Sequence, residues 1–372
     1  MAVTEDKQQT STHLDAPDSI VNKETSAQFQ SAMLLGVSRT FALTIPQLPK
    51  QLHYTVGNAY LLCRAVDTIE DEPALTNAQR LQFCNQFVEV VRGQQSAESL
   101  SSELLPLLSK STIPAEHQLI RELAQVIAIT HSFPDAQYQA LLTCVNTMAH
   151  GMPLFQESEI KHGLPTQHDF DQYCYYVAGC VGEMLTQLFC DYSAEINQHR
   201  DEMHRLSVSF GQGLQMTNIL KDIWDDHQRG VCWLPQDVFQ QCGYDLTQLS
   251  PDNNTTAFQH GLSYLVSQAY QHLVNALDYT LLIPAHEQGI RKFCLWALGM
   301  ALLTLQKIHK HLDFQASQQV KISRRQVKTT IALSSITVSN NTLLKLLFKS
   351  AGRGLDNPLW HPDHQQHKPI KP

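Results

Sequence analysis

Apolar residues recur at 3.6-residue spacing along most of the chain, in runs at 56–69, 81–91, 119–129, 138–148, 170–189, 206–223, 258–277 and 290–308. Side chains three and four positions apart share one face of a helix, so this spacing predicts amphipathic helices. Strand-like alternation is scarce. Pro and Gly fall between the runs, at 46–49, Pro73, Pro134, 163–165, Pro235, Pro251 and Pro284, where a proline starts or ends a helix. The pattern predicts an all-α fold of about ten or more helices in one domain spanning 26–352. Residues 1–25, polar and without periodicity, and 353–372, rich in His and Pro, read as disordered tails.

Of the 372 residues 43% are hydrophobic and 17% charged, enough apolar material for a sizeable core. The 27 Lys and Arg against 35 Asp and Glu give a formal charge of −8, which argues against nucleic acid as a partner. Nine scattered cysteines without a C-x-x-C pair argue against a disulfide scaffold and a cysteine zinc site. The N-terminus lacks the basic start and apolar run of a secretory signal, and no stretch reaches the roughly 18 apolar residues of a membrane span. A cytoplasmic protein is expected, lying on a membrane surface if it meets one at all.

Two segments carry chemistry. Asp67, Glu70 and Asp71, and again Asp222, Asp225 and Asp226, follow the form D-x-x-[DE]-D. Positions i, i+3 and i+4 lie within about 5–6 Å on a helix, so each segment stacks three carboxylates that repel one another. Leu61, Leu62, Val66 and Ile69 around the first, and Met216, Ile219, Leu220 and Ile223 around the second, make these buried or half-buried helices, where uncompensated charge is costly. Mg²⁺ supplies the compensation: it takes oxygen ligands and is commonly held by one or two carboxylates together with substrate phosphate oxygens. Two such helices facing across a cavity would bind a diphosphate through Mg²⁺ and suit the ionisation of an allylic diphosphate. The competing reading is a pair of ordinary solvated acidic faces. Arg64 and Arg229, three residues from the acids, would pair with carboxylates or grip phosphate oxygens.

These motifs stand in order with Ser38-Arg39-Thr40-Phe41, with Tyr173-Cys174-Tyr175-Tyr176-Val177-Ala178-Gly179-Cys180-Val181-Gly182, and with Arg229-Gly230 and Trp233-Leu234-Pro235. Together they make the chain resemble, along nearly its whole length, the squalene/phytoene synthase family of head-to-head prenyl synthases. The resemblance implies an all-helical isoprenoid-synthase fold with both acidic helices at the mouth of a deep apolar cavity. It implies a reaction in which two prenyl diphosphates join at their C1 ends through a cyclopropylcarbinyl diphosphate. It gives metal and diphosphate binding to Asp67, Glu70, Asp71, Asp222, Asp225 and Asp226, and diphosphate contacts to Ser38, Arg39, Arg64, Gln215, Asn218 and Arg229. Tyr173 takes the place of the family's proton acceptor or carbocation stabiliser, and Phe41, Val177, Val181 and Leu185 fall to the apolar substrate wall. Lys221 stands where Arg is frequent in the family, which removes a bidentate phosphate fork.

Tyr173, Val177, Cys180, Val181, Met184 and Leu188 also form one apolar stripe at helical spacing, interrupted by Ala178, Gly179 and Gly182, as a wall along a hydrocarbon tunnel would. Within the family, Phe293-Cys294 and the basic segment Lys321-Ile322-Ser323-Arg324 resemble elements of the branch that reduces its product with NADPH, with Asn218, Phe293, Lys321 and Arg324 as cofactor contacts. The alternative products are dehydrosqualene, phytoene or presqualene diphosphate, made without NADPH. No G-x-G-x-x-G follows a strand, so a Rossmann site is not expected. Segment 342–349 is amphipathic and basic, suited to a membrane interface or to docking on the domain's own core. The C-terminal anchor of the family's eukaryotic members is not seen in this sequence, which points to a bacterial type.

Overall fold

The computed structural model describes residues 23–38, 40–155 and 160–362. It is all-α, as the spacing predicts, and among the described residues the only β feature is one isolated bridge between Leu164 and Pro235. The first acidic motif ends the helix Lys50–Glu70, and the second lies in the last two turns of Arg200–Gln228. The second acidic helix packs along Thr256–Leu282, Gln288–Lys310 and Cys180–Tyr192.

The first acidic helix is buried almost all round. Leu61, Leu62, Ala65, Val66 and Ile69 are wholly enclosed, and one polar residue locks its position. Asn58 donates to Thr130 Oγ1 at 2.7 Å and to Val126 O at 3.3 Å, and accepts from Gln30 Nε2 at 3.2 Å, so the buried amide is satisfied from two other helices. The second acidic helix is fixed by Trp224, whose indole N–H donates to Phe314 O at 2.8 Å while its ring packs on Phe258 and Phe314.

A helix begins just ahead of the expected start of the domain, and the packed chain continues past its expected end. The first helix begins at Lys23, and its Ser26 and Gln30 are buried. At the other end Leu355 is buried, Leu359 N donates to Ser263 Oγ at 3.0 Å and Trp360 meets the edge of Tyr264. The His and Pro content of 353–362 concealed these apolar anchors. Residues 1–22 and 363–372, the remainder of the two expected tails, lie outside the described residues.

Candidate active site

Arg64 organises the first motif. One guanidinium nitrogen lies 3.7 Å from Asp67 Oδ2, and another donates to Glu116 on the helix Pro114–Arg121. The second carboxylate oxygen of Asp67, Oδ1, is buried without a hydrogen-bond partner. Asp71 caps the helix, donating its N–H to Asp67 O at 2.8 Å, and its side chain stands exposed, whereas Glu70 is turned inward at 2% exposure. In the second motif Asp222 and Asp226 share one face. Asp226 is buried and accepts from Arg229, and Asp222 lies 3.0 Å from Lys221 Nζ. Asp225 points to the exposed side of the helix.

The two motifs belong to one electrostatic cluster. Arg229 interacts with Asp226, Asp71 and Asp222, so a cation of the second motif reaches an acid of the first. Burial, with Asp71 and Glu116 adding to it and Arg64 opposing, pushes the Asp67 carboxyl up to about 7. Burial, opposed by Arg229 and reinforced by Asp222 and Asp71, pushes Asp226 up to about 6. Carboxyls raised this far are short of positive charge.

A divalent cation fits that deficit. Among the described residues no three Asp, Glu, His or Cys side chains converge closely enough to hold an ion unaided. The donor set therefore needs oxygens from outside the protein, as when Mg²⁺ is shared with substrate phosphates. The partnerless Asp67 Oδ1 is the atom on which the fit rests.

Tyr173 lies beside this cluster at the end of the helix Gln167–Cys174, whose start is held by a capping box between Thr166 and Asp169. Its ring stacks on Trp233 at 3.8 Å and 8°, and Phe155 meets it edge-on at 5.6 Å. Burial, and then Glu70, Asp71 and Asp67, raise the phenol well above its ordinary value, so it keeps its proton. Residues Tyr175–Gly179 form a π turn, closed by Cys180 N–H on Tyr175 O, before the helix resumes at Cys180. Such an inserted residue shifts every later side chain around the helix axis. The single expected stripe divides into two rows: Cys180, Met184 and Leu188 are buried in packing, while Val177, Val181 and Leu185 are half-buried. The glycines of the signature serve close approach rather than a wall. A Cβ on Gly182 would run into Ser207 O, and one on Gly211 into Ala178 O, so the tyrosine segment and the second acidic helix touch backbone to backbone.

The family model described as squalene/phytoene synthase matches residues 34–326. The chain belongs to that family. It is 28% identical to the squalene synthase of Cyberlindnera jadinii over 81% of this chain and 65% of that protein. It is 30% identical to squalene synthase ERG9 of Gibberella zeae over 77% of this chain and 59% of that protein. It thus spans less than two thirds of the length of these curated relatives. The solved complex of TcSQS with the ligand BPH1237 superposes with a TM-score of 0.68 at 21% identity, over 89% of this chain and 99% of that one, which places this chain in the same fold.

The other residues assigned through the squalene/phytoene synthase family fall in several places. Ser38 Oγ accepts from Phe41 N at 2.9 Å, the Tyr60 hydroxyl donates to Val37 O at 3.4 Å, and Phe41 packs on Tyr60 at 5.2 Å, so this segment sits one turn from Arg64. Arg39 lies outside the described residues. Gln215 is half-buried and Asn218 exposed on the second acidic helix, where Lys221 Nζ reaches Asn218 Oδ1 at 3.4 Å. The four expected nicotinamide contacts are spread over three places. Phe293 is buried at 3% exposure edge-on to Phe189, Asn218 belongs to the acidic helix, and Lys321 and Arg324 flank the Ser323 N-cap of Arg324–Thr337. Cations beside a helix N-terminus suit nucleotide phosphates.

Glu116 went unrecognised in the sequence. Its signal was local: Pro114 followed by an acid at the third helical position, with Glu116 Oε2 accepting from Ile113 N at 3.3 Å. Nothing in that signal announces a partner 52 positions away. Trp233 carries no role in the sequence reading either, yet it is the stacking partner of Tyr173.

Proposed function

We propose that this protein is a squalene synthase that couples two farnesyl diphosphates head to head through presqualene diphosphate and then reduces the product with NADPH. The observation that carries the reading is the shared cluster of Asp67, Asp71, Asp222 and Asp226 with Arg64 and Arg229, with Tyr173 buried beside it. Asp67, Asp71, Asp222 and Asp226, with Glu70 behind them, would hold Mg²⁺. When bound, the metal neutralises charge developing on a departing pyrophosphate.

The chain's own residues account for the rest of the first step. Arg64, Arg229, Lys221 and Ser38 bind and orient the diphosphates, and the half-buried row Val177, Val181 and Leu185 meets the prenyl chains. The ring faces of Tyr173 and Trp233 turned away from their mutual stack would offer π density to an allylic cation. As the cyclopropane closes, the lost proton ends on released pyrophosphate, and neutral Tyr173 Oη can relay it by giving its own proton to that anion while taking up the substrate's. Apolar surroundings keep water from trapping the cations as alcohols. The hydride for the second half-reaction comes from NADPH, with Lys321 and Arg324 as phosphate contacts. The product is an oil, so cytoplasmic protein in peripheral contact with a membrane completes the proposal.

Purified protein given farnesyl diphosphate and Mg²⁺, with and without NADPH, tests this by gas chromatography–mass spectrometry. Squalene formed only with NADPH is the expected result. Dehydrosqualene or presqualene diphosphate in both reactions would remove the reductive half, and turnover of geranylgeranyl diphosphate alone would replace the substrate.

A further inference from the structure

The C-terminal helices Arg324–Thr337 and Asn341–Ala351 form a hairpin over Gln288–Lys310. Between them lies an apolar cavity of ≈ 460 Å³, separate from the acidic cluster, lined chiefly by Leu298, Leu302, Leu333, Leu344, Leu347 and Phe348. The inner face of the second helix docks on the core: Leu344 is buried and Phe348 stacks on Tyr270 at 5.8 Å. The outer faces do not. Ile336 is 82% exposed, Leu346 63% and Leu343 44%, an accumulation that a water-facing surface rarely carries without a partner.

The charge around these side chains identifies the partner. Residues 314–355 contain Lys321, Arg324, Arg325, Lys328, Lys345, Lys349 and Arg353 and no acid, while the remainder of the chain holds 20 cations against 35 acids. Asp278, 3.5 Å from Lys345, offsets one of the seven, and Asp356 follows the segment in sequence. An acidic protein has thus gathered a local excess of cations around its exposed leucines and isoleucine. A second copy docked by two-fold symmetry would set these cations against themselves. A sheet of anionic headgroups over acyl chains matches both the cations and the apolar side chains.

We propose that this hairpin is the docking surface for an anionic lipid bilayer, and that the cavity beneath it receives an acyl chain from that bilayer. The inference deepens the peripheral contact proposed above, although vesicle binding is read without substrate and stands whichever product the enzyme makes. Neither helix needs to cross the membrane: among the described residues no helix is long and apolar enough to do so. The pair would lie in the interface, with Ile336 and Leu346 inserted and Lys328, Lys349 and Arg353 at headgroup level.

The test is co-sedimentation of the full chain with phosphatidylcholine vesicles, with and without phosphatidylserine. Wild-type protein is expected to bind the phosphatidylserine vesicles at least roughly tenfold better, and to be released by salt. The double variant Ile336→Glu/Leu346→Glu is expected to lose that binding while keeping its melting temperature, because both side chains are exposed. Should that pair unfold the hairpin, Ile336→Trp alone is expected to strengthen binding, since an interfacial aromatic favours insertion. Equal binding to both vesicle types, or variant binding like wild type, overturns the proposal. So does a concentration-dependent dimer that the double variant dissolves, which would assign the face to a second copy. Product analysis in solution is independent of each outcome.

Discussion

Arg64 is tied to Glu116 across two helices, and that tie keeps the guanidinium from closing on Asp67. With Glu116→Gln, Arg64 loses its counter-charge, turns fully to Asp67 and competes for the carboxylate that the proposed Mg²⁺ would need. Groups behind a metal ligand commonly contribute 10–100-fold to metal affinity, so the Mg²⁺ concentration for half-maximal rate is expected to rise about tenfold. A Mg²⁺ titration of the coupling rate checks this, and an unchanged half-point removes Glu116 from the site.

The two neighbouring acids of the second motif separate by exposure. Asp226→Asn removes a buried carboxylate that faces the first motif, and is expected to lower kcat/KM by roughly 10²–10³. Asp225→Asn, on the exposed side of the same helix, is expected to remain within about twofold of wild type. Steady-state kinetics on the pair would show the split. Equal losses would mean that both acids reach the reacting diphosphate.

The raised carboxyls set a pH signature. With Asp67 at about 7 and Asp226 at about 6 against an ordinary 3.8, the folded protein binds more protons than the unfolded chain between about pH 4 and 7. Stability from these groups therefore falls as pH rises through that range. Glu72 acts oppositely. Burial works against its charge, but hydrogen bonds from Thr112, Ala74 and Ser109 hold it below its ordinary value, so its contribution is lost only in acid. Without metal, the melting temperature is expected to decline from pH 5 to pH 7 on account of the two aspartates. Mg²⁺ with pyrophosphate is expected to raise it more at pH 8 than at pH 6, which thermal scans would read directly.

Arg291 is a fourth site to test. It is almost wholly buried, and its guanidinium donates to Leu281 O, Ile283 O, Val338 O and Asn341 Oδ1. It thereby pins the turn of the C-terminal hairpin to the end of Thr256–Leu282. Arg291→Met keeps much of the volume and removes every donor, and each buried acceptor left alone costs about 1–3 kcal/mol. Hydrogen exchange is expected to lose protection over 324–351 first, with the acidic helices still protected.

What could be read from the sequence followed the reach of each signal. The acid triplets and their helices were legible because i, i+3 and i+4 spacing is local and the flanking residues are strongly apolar. The all-α architecture was legible for the same reason. The row Val177, Val181 and Leu185 was named, but its separation from Cys180, Met184 and Leu188 was not, because which side of a helix is covered depends on neighbours remote in sequence. Glu116 and Arg291 act through partners remote in sequence, and a lone acid or arginine looks alike whether it meets water or a buried carbonyl. Phe293 was assigned by likeness, and its burial depends on packing against Phe189 that no local pattern encodes.

At the crossing of Gly182 with Ser207 and of Gly211 with Ala178, two main chains touch with only hydrogen atoms between them. The gauge between Tyr173 and the second acidic motif is thus a fixed dimension, like the spacing of rails. Point substitution has no smaller side chain to offer there, so that gauge cannot be retuned by small steps. Any adjustment to the length of the proposed prenyl chains would have to be written further along, at side chains such as Val181 and Leu185 that can be exchanged for larger or smaller ones.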